Sequence, residues 1–422
     1  MQAQFRKSQI RRDATVSIPS SKSLSHRALI CASLAGGDSE IIHPAFNKDT
    51  EATMRVMECF GASFEEKDDR VIVHGINGKL RYDHQKADCG ESGSTLRFLI
   101  PLAALLEEEV IFTGHGRLME RPQTVYDELF QKEGLLFEKK EDGLHVRGPL
   151  QAGNYQVRGD VSSQFISGLL FALPLCKGNS VLRIQPPFES ASYVSLTLDA
   201  LMKAGVSVQT GDLVYLIPGE QNYLPFHERI EGDDSQMAFF AELSLIQNRP
   251  LRVLNMNHAS HQGDHVILEF VKKLGGHVTE IEDGYLFEGG NLHGCEMDLA
   301  DCPDLGPALF ALATQCEGDT VFHHCERLRI KESDRIAAME EELRKLGCSI
   351  HSTEDTVIVH GKTAIRGNVT LNGHNDHRIV MALSMLATLT DGVVIEGAEA
   401  VNKSYPQFFQ DLSETGIEVD YD

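Results

Sequence analysis

The sequence predicts an α/β protein assembled from six copies of one small unit. Three observations carry this: apolar helix starts recur at a fixed spacing, glycines recur at nearly the same spacing, and short β-type runs ending in glycine lie between them. The chain of 422 residues is long enough for more than one domain at ~150 residues each. Its 42% apolar content can fill sizeable cores.

The helix starts fall at Lys22 (SKSLSHRALICASLA), Ser92 (ESGSTLRFLIPLAALL), Ser162 (VSSQFISGLLFALPL), Asp234 (DDSQMAFFAELSLI), Asp304 (PDLGPALFALAT) and Asn375 (NDHRIVMALSMLATL), in steps of 70, 70, 72, 70 and 71. A second helix follows each and ends in Gly61, Gly134, Gly205, Gly276, Gly347 or Gly416, in steps of 73, 71, 71, 71 and 69. Glycine just past a helix end suits a left-handed C-cap, and six in register mark a repeat. Between these landmarks lie RVIVHG (70 to 75), GLHVRG (143 to 148), LVYLIPG (213 to 219), GYLFEGG (284 to 290) and TVIVHG (356 to 361), which read as strands. A period near 70 exceeds the ~20–50 residues of most solenoid repeats, so the units are expected to pack into lobes, three to each, joined near Arg229. The first helix of each unit is apolar nearly all round and should be buried. The second, such as ESDRIAAMEEELRKLG, carries one charged face and should lie outside. If the inner helices run parallel, their N-termini converge and make a place for anions, and two facing lobes would enclose an anion-binding cleft.

Composition removes several function classes. A formal charge of −23 argues against nonspecific nucleic-acid or anionic-membrane binding, which needs a basic footprint. Nine cysteines at 31, 59, 89, 176, 295, 302, 316, 325 and 348, with no CxxC pair, suggest neither a disulfide framework nor a zinc site. The N-terminal MQAQFRKSQIRRD lacks the apolar core of a signal peptide, and the apolar helix at 165 to 176 is too short to span a bilayer. A cytoplasmic protein is expected.

Polar residues gather at the helix starts. In the segment from Pro19 to Ala35, a β-type run gives way to a serine-rich turn and an apolar helix, so Lys22, Ser23 and Arg27 stand beside unpaired N–H groups and the positive end of a helix dipole. That reads as a phosphate site, although Ser20, Ser21 and Ser23 would equally serve as helix caps beside solvated cations. Arg121 precedes Pro122 at the start of a helix. Ser162, Ser163 and Gln164 offer uncharged hydrogen-bonding groups. RIKESDR puts Lys331 and Arg335 four apart on one helix face with Glu332 between them, a pattern also common on solvated surfaces. NDHR (375 to 378) opens an otherwise apolar helix, and Lys403 in NKSYP lies just before the last one.

Along the whole chain, SKSLSHRAL (21 to 29), ESGSTLR (91 to 97), MERP (119 to 122), VSSQF (161 to 165), EGDDS (231 to 235), QGD (262 to 264), CPDLG (302 to 306), RIKESDR (329 to 335), NDHR and NKSYP occur in the order found in one enzyme family. The sequence resembles the 5-enolpyruvylshikimate-3-phosphate (EPSP) synthases. The resemblance implies the two-lobed enolpyruvyl transferase fold, six βαβαββ-type repeats, with residues 19–229 as the first lobe and 1–18 plus 230–422 as the second, residues 1–18 forming a strand of that second lobe. It implies transfer of the enolpyruvyl group of phosphoenolpyruvate to the 5-hydroxyl of shikimate 3-phosphate through a tetrahedral intermediate, by a monomer, without metal or organic cofactor. By matched motif, Lys22, Ser23, Arg27, Ser162, Ser163, Gln164, Ser190, Tyr193, Asp304 and Lys331 would bind shikimate 3-phosphate. Lys22, Gly93, Arg121, Gln164, Arg335, Arg378 and Lys403 would bind phosphoenolpyruvate, and sensitivity to glyphosate, the family's inhibitor at that site, is expected. Lys22, Asp304 and Glu332 would be catalytic, with Asp304 the base for the 5-hydroxyl and Glu332 the acid that protonates the methylene carbon. Glu332 can act as an acid only if burial or bound anions offset its cationic neighbours. Glu91 and Arg327 stand where the family more often has Asn, and neither is assigned to the site. Two alternatives are a non-catalytic anion-binding relative and a UDP-N-acetylglucosamine enolpyruvyl transferase. The first would need neither carboxylate. The second would carry a cysteine near 114 to 121, where none occurs.

Overall fold

Inner helices begin where a short polar side chain can accept from the new helix's backbone. Ser21 caps Lys22–Leu34 by accepting from Leu24 N at 3.4 Å, Ser92 caps Gly93–Ala103 through Thr95 N at 3.2 Å, and Ser162 caps Ser163–Ala172 through Gln164 N at 3.3 Å. Asp233 caps Asp234–Gln247 through Ser235 N at 3.0 Å, and Asp376 caps His377–Ala387 through Arg378 N at 3.0 Å. The fifth start differs from the expectation of an α-helix at Asp304. That residue lies in a 3-10 turn, Pro303–Leu305, and the α-helix Gly306–Ala313 begins after it.

The structure is a computed structural model and describes all residues from Met1 to Asp422. Every residue of 25–34, of Gly306–Ala313 and of His377–Ala387 is buried, as all-round apolar sequence requires. The second helices are amphipathic. Arg335–Lys345 buries Ile336, Ala338, Met339 and Leu343 and turns Glu341 and Arg344 to solvent.

Five of the six expected glycines take the left-handed backbone, Gly134 for instance as the C-cap of Thr124–Glu133 with φ 71°. In the fourth repeat that role falls to Gly275 (φ 92°), not Gly276. Gly276 is needed for packing instead, since a Cβ there would lie 2.8 Å from Leu245 Cδ2.

There are six four-stranded sheets. The second repeat shows the plan: Ala87–Asp88 runs parallel to Val110–Thr113, which is antiparallel to Gly143–Arg147, which in turn is antiparallel to Leu136–Lys140. Three sheets complete this plan with strands distant in sequence. His227–Arg229 pairs with Asp38–Ile42 in the first repeat, and Thr15–Ser17 pairs with Leu251–Leu254 in the fourth. Gln2–Phe5 sits between Val393–Glu396 and Val419–Tyr421 in the sixth. The single strand expected over residues 1–18 is therefore two strands in two sheets, the first burying Ala3 and Phe5 on alternate positions.

The chain divides into a continuous unit, Ser20–Ile230, and a discontinuous unit, Met1–Pro19 with Glu231–Asp422. Each contains three sheets. In the discontinuous unit the three inner helices pack on one another, whereas in the continuous unit Gly93–Ala103 packs on Ser163–Ala172 and Lys22–Leu34 lies against Lys48–Cys59 and Ala191–Lys203. No helix is long and apolar enough to cross a membrane.

Candidate active site

In the discontinuous unit the inner helices start together. Arg378, the second residue of its helix, donates from Nη2 to Ser235 Oγ at 3.0 Å and to Asp304 Oδ2 at 3.0 Å, and from Nη1 to the Asp304 carbonyl at 3.1 Å. One guanidinium thus ties three helix starts. Asp304 Oδ1 also receives Lys331 Nζ at 3.2 Å and Arg335 Nη1 at 3.0 Å. Arg335, 1% exposed, spends its other nitrogens on Asp376 Oδ2 at 2.9 Å and Glu332 Oε2 at 2.7 Å. Lys403 Nζ donates to the Asn375 carbonyl at 2.6 Å. All six predicted site residues of this unit, Asp304, Lys331, Glu332, Arg335, Arg378 and Lys403, are drawn together by these bonds around the helix starts.

The route to that arrangement differs from the one expected. Lys331 and Arg335 do not share a helix face: a 3-10 turn, Glu326–Ile330, ends before Lys331, whose backbone is extended, and the α-helix begins at Arg335. Asp334 accepts from Ala337 N at 3.0 Å and fixes that start. Both cations still reach Asp304 because the extended step carries Lys331 back across it.

Burial alone would raise the Asp304 pKa, but Arg378, Lys331 and Arg335 outweigh it and hold the carboxyl well below the usual carboxylate range. The same burial, with Arg327 and Arg335 nearby, pushes Lys331 down to about 8 although Asp304 opposes it. Burial favours neutral Arg378, yet Asp304 draws its pKa up.

In the continuous unit two inner helix starts meet directly, and Asp49 of the second helix links the third to them. Gln164 Nε2 donates to Ser94 Oγ at 2.8 Å, and Gln164 Oε1 accepts from Arg97 Nη1 at 2.9 Å. Lys22 Nζ is 2.9 Å from Asp49 Oδ2. Ser162 and Ser163 form the cap and first residue of their helix, and Ser190 precedes Ala191–Lys203 in a left-handed conformation, φ 53°, without a side-chain capping bond. Arg27 is almost wholly buried. It donates to Thr197 Oγ1 at 2.9 Å, to the Ser23 carbonyl at 2.7 Å and to the Tyr193 carbonyl at 2.8 Å, and lies 5.1 Å from the Phe98 ring centroid. Burial lowers its pKa to about 10, so it is still a cation at neutral pH. Its fork joins Ser23 and Tyr193, both predicted site residues, and holds their backbones. Arg121 closes the 3-10 turn Leu118–Glu120, three residues before its helix begins at Thr124, rather than at a helix start. It packs on Gly93, where a Cβ would lie 2.6 Å from Arg121 Nη1.

Several residues with a part in these clusters escape motif reading. Asp49, Asp376 and Arg97 hold predicted residues in place, and only Arg97 and Asp376 fall within quoted motifs. Gln262 Nε2 donates to Glu231 Oε1 at 2.9 Å and to the Gly232 carbonyl at 2.8 Å, and His265 Nδ1 is 3.0 Å from Asp234 Oδ2. The EGDDS and QGD segments thus brace each other. The Glu91 carboxylate lies against Gly116, where a Cβ would be 2.7 Å from Oε2, and Arg327 donates to the Ala300 carbonyl at 3.2 Å. Glu341, Glu342 and His374 present ligand atoms within 4.8 Å of one another, but Lys345 Nζ, 2.8 Å from Glu342 Oε1 and 3.1 Å from Glu341 Oε1, already supplies a positive charge there. The nine cysteines are free thiols and eight are buried.

The six-sheet architecture with paired helix-start clusters is that of the enolpyruvyl transferases. The enolpyruvyl transferase NikO from Streptomyces tendae superposes with a TM-score of 0.78 over 99% of this chain and 98% of its own, at 14% identity, a likeness of fold. EPSP synthase from Acinetobacter baumannii superposes with a TM-score of 0.82 over 100% of both chains at 25% identity. The family model for EPSP synthase (3-phosphoshikimate 1-carboxyvinyltransferase) matches residues 7–412. The 3-phosphoshikimate 1-carboxyvinyltransferase of Clostridium kluyveri is 43% identical over 97% of this chain and 96% of its own, and that of Clostridium perfringens strain 13 is 39% identical over 95% and 96%. The chain belongs to the EPSP synthase family.

Proposed function

We propose that this protein transfers the enolpyruvyl group of phosphoenolpyruvate to the 5-hydroxyl of shikimate 3-phosphate and releases phosphate, a step of aromatic amino-acid biosynthesis. The observation that carries the reading is the Asp304 cluster: one carboxylate held by Lys331, Arg335 and Arg378, with Glu332 on the same Arg335. A site for a multiply charged anion needs the cations. The two acids are needed only if protons move.

The chemistry follows from this charge arrangement. Guanidinium forks of Arg121, Arg335 and Arg378 suit the phosphoenolpyruvate carboxylate and phosphate, while Lys22 and Lys403 act as point charges. Ser23, Ser162, Ser163, Ser190, Gln164, Tyr193 and Lys331 suit the hydroxyls and phosphate of shikimate 3-phosphate. In the addition step Glu332 delivers a proton to the methylene carbon, Asp304 takes the 5-hydroxyl proton, and the oxygen bonds to C2. In the elimination step a methyl proton leaves, the C2–O bond to phosphate breaks and the enol ether forms. Without ligands, Asp304 is too well stabilised as an anion to be a strong base. Bound phosphate and carboxylate groups compete for Arg335, Arg378 and Lys331, which raises the proton affinity of Asp304 and frees Glu332 from Arg335. That answers how an acid can work among cations: the substrates neutralise its neighbours.

Free, largely buried thiols support a reducing, cytoplasmic setting, and since one chain supplies every assigned residue, we read the active species as a monomer. The test is phosphate release from phosphoenolpyruvate with shikimate 3-phosphate and, separately, with UDP-N-acetylglucosamine. Release with the first pair alone is expected. Release only with the second, or with neither, overturns the reading.

A further inference from the structure

A buried hydrogen-bonded chain lies behind the helix starts of the continuous unit and involves none of the assigned residues. His26, 1% exposed, has Nδ1 2.7 Å from Thr53 Oγ1. Thr53 Oγ1 is 2.7 Å from Thr95 Oγ1, which lies 2.8 Å from Ser92 Oγ and 3.2 Å from the Asp49 carbonyl oxygen. Thr53 and Thr95 are wholly buried. The chain crosses three helices, Lys22–Leu34, Lys48–Cys59 and Gly93–Ala103. It ends on Asp49, whose carboxylate holds Lys22, and on Ser92, whose side chain caps the helix that Gly93 opens.

The chain has a direction. The single Thr95 hydroxyl proton goes to Ser92 Oγ or to the Asp49 carbonyl oxygen. With that proton directed away from Thr53, Thr53 donates to Thr95 and His26 Nδ1–H donates to Thr53. This leaves His26 Nε2, which has no partner, as a bare acceptor. The opposite sense would bury an N–H with nothing to receive it, which proteins rarely tolerate. Burial first, then Lys22 and Arg27, hold the imidazole pKa well below its usual value, so the ring is neutral and keeps a single N–H to donate.

We propose that His26, Thr53 and Thr95 are positioning residues that fix Asp49, and through it the Lys22 ammonium, against the N-terminus of the helix beginning at Gly93. Thr53–Thr95 and Thr95–Asp49 join the first repeat to the second, and His26–Thr53 ties the helix that carries Lys22 to that joint. The inference rests on the enolpyruvyl-transfer reading for the role of Lys22.

The test compares T95V and H26L, which remove the hydroxyl and the ring N–H, with T95S and H26N, which keep a polar atom in nearly the same place. In T95V and H26L the phosphoenolpyruvate KM should rise about tenfold. Shikimate 3-phosphate, to which Lys22 is also assigned, should lose less affinity, about threefold, because Ser162, Ser163, Ser190 and Tyr193 would hold it from other helices. T95S and H26N should restore most of the loss. Phosphoenolpyruvate binding measured by calorimetry in the presence of shikimate 3-phosphate reads the same displacement whether or not turnover occurs. Wild-type protein without turnover would overturn the functional reading alone. If T95V and H26L lower the melting temperature but leave phosphoenolpyruvate affinity at the wild-type value, the chain is a core contact only and the proposal is wrong. Equal loss in the conservative and non-conservative variants would also refute it.

Discussion

Replacing Gly93 by Ala isolates one contact of the candidate site. The new Cβ would lie 2.6 Å from Arg121 Nη1 and 3.3 Å from Arg121 Cζ, whereas an ordinary contact is about 3.5 Å. The guanidinium must therefore retreat by about 1 Å. Gly93 is the first residue of its helix, and its backbone is not left-handed, so Ala fits the main chain and should leave stability unchanged or slightly raised. The atom displaced is the far end of a flexible side chain, so folding loses little. Catalysis loses more, because a displacement of about 1 Å in a substrate-holding group can cost about 100-fold. Steady-state phosphate release at saturating shikimate 3-phosphate should show the phosphoenolpyruvate KM up by about 10- to 100-fold. Inhibition by glyphosate should weaken in parallel. A phosphoenolpyruvate KM at the wild-type value, or a loss of shikimate 3-phosphate affinity as large as that for phosphoenolpyruvate, would refute the reasoning that Gly93 exists to seat Arg121.

Asp304→Asn should lower turnover by at least about 100-fold while calorimetry still detects shikimate 3-phosphate, and a variant with near-normal turnover would remove Asp304 as base. Because Lys331 sits at about 8 in the free protein, it is charged below that pH and neutral above. Shikimate 3-phosphate affinity should therefore fall between pH 7 and 9 with net proton uptake on binding, and Lys331→Arg should flatten that profile. Glu242 is 1% exposed with neither carboxyl oxygen hydrogen-bonded, and burial drives its pKa well above the usual value. The folded state then holds a proton that the unfolded state has released, so wild-type stability falls as pH rises above the ordinary Glu range. Glu242→Gln should be more stable at pH 8 in urea titration and should lose that part of the pH dependence. A variant that keeps the wild-type slope would show that Glu242 is not the group responsible.

How much of this was legible beforehand depends on the range of the interaction. Capping serines, the glycine ends of outer helices and the alternating strands are local, so the spacing near 70 residues was readable directly. Errors came where tertiary contacts override local pattern. Gly276 and Gly275 are equivalent as turn formers by sequence, and Leu245 decides between them. RIKESDR has helical spacing, but Lys331 is extended, because its ammonium is bound to Asp304 and the next helix is capped by Asp334. Asp49 carries no motif at all. It becomes part of the site only because the second helix brings it to Lys22.

By itself, the sequence determined the repeat, the helix and strand content, the family and the types of residue that would meet anionic substrates. These follow from short-range backbone chemistry and from collinear motifs. The tertiary structure alone decided which strands complete each sheet, since Gln2–Phe5, Thr15–Ser17 and His227–Arg229 pair with segments up to the far end of the chain. It also decided the charge state of the site. Three cations converge on Asp304 from two other segments of the chain, and the strength of that convergence depends on distance and burial, which no one-dimensional pattern contains.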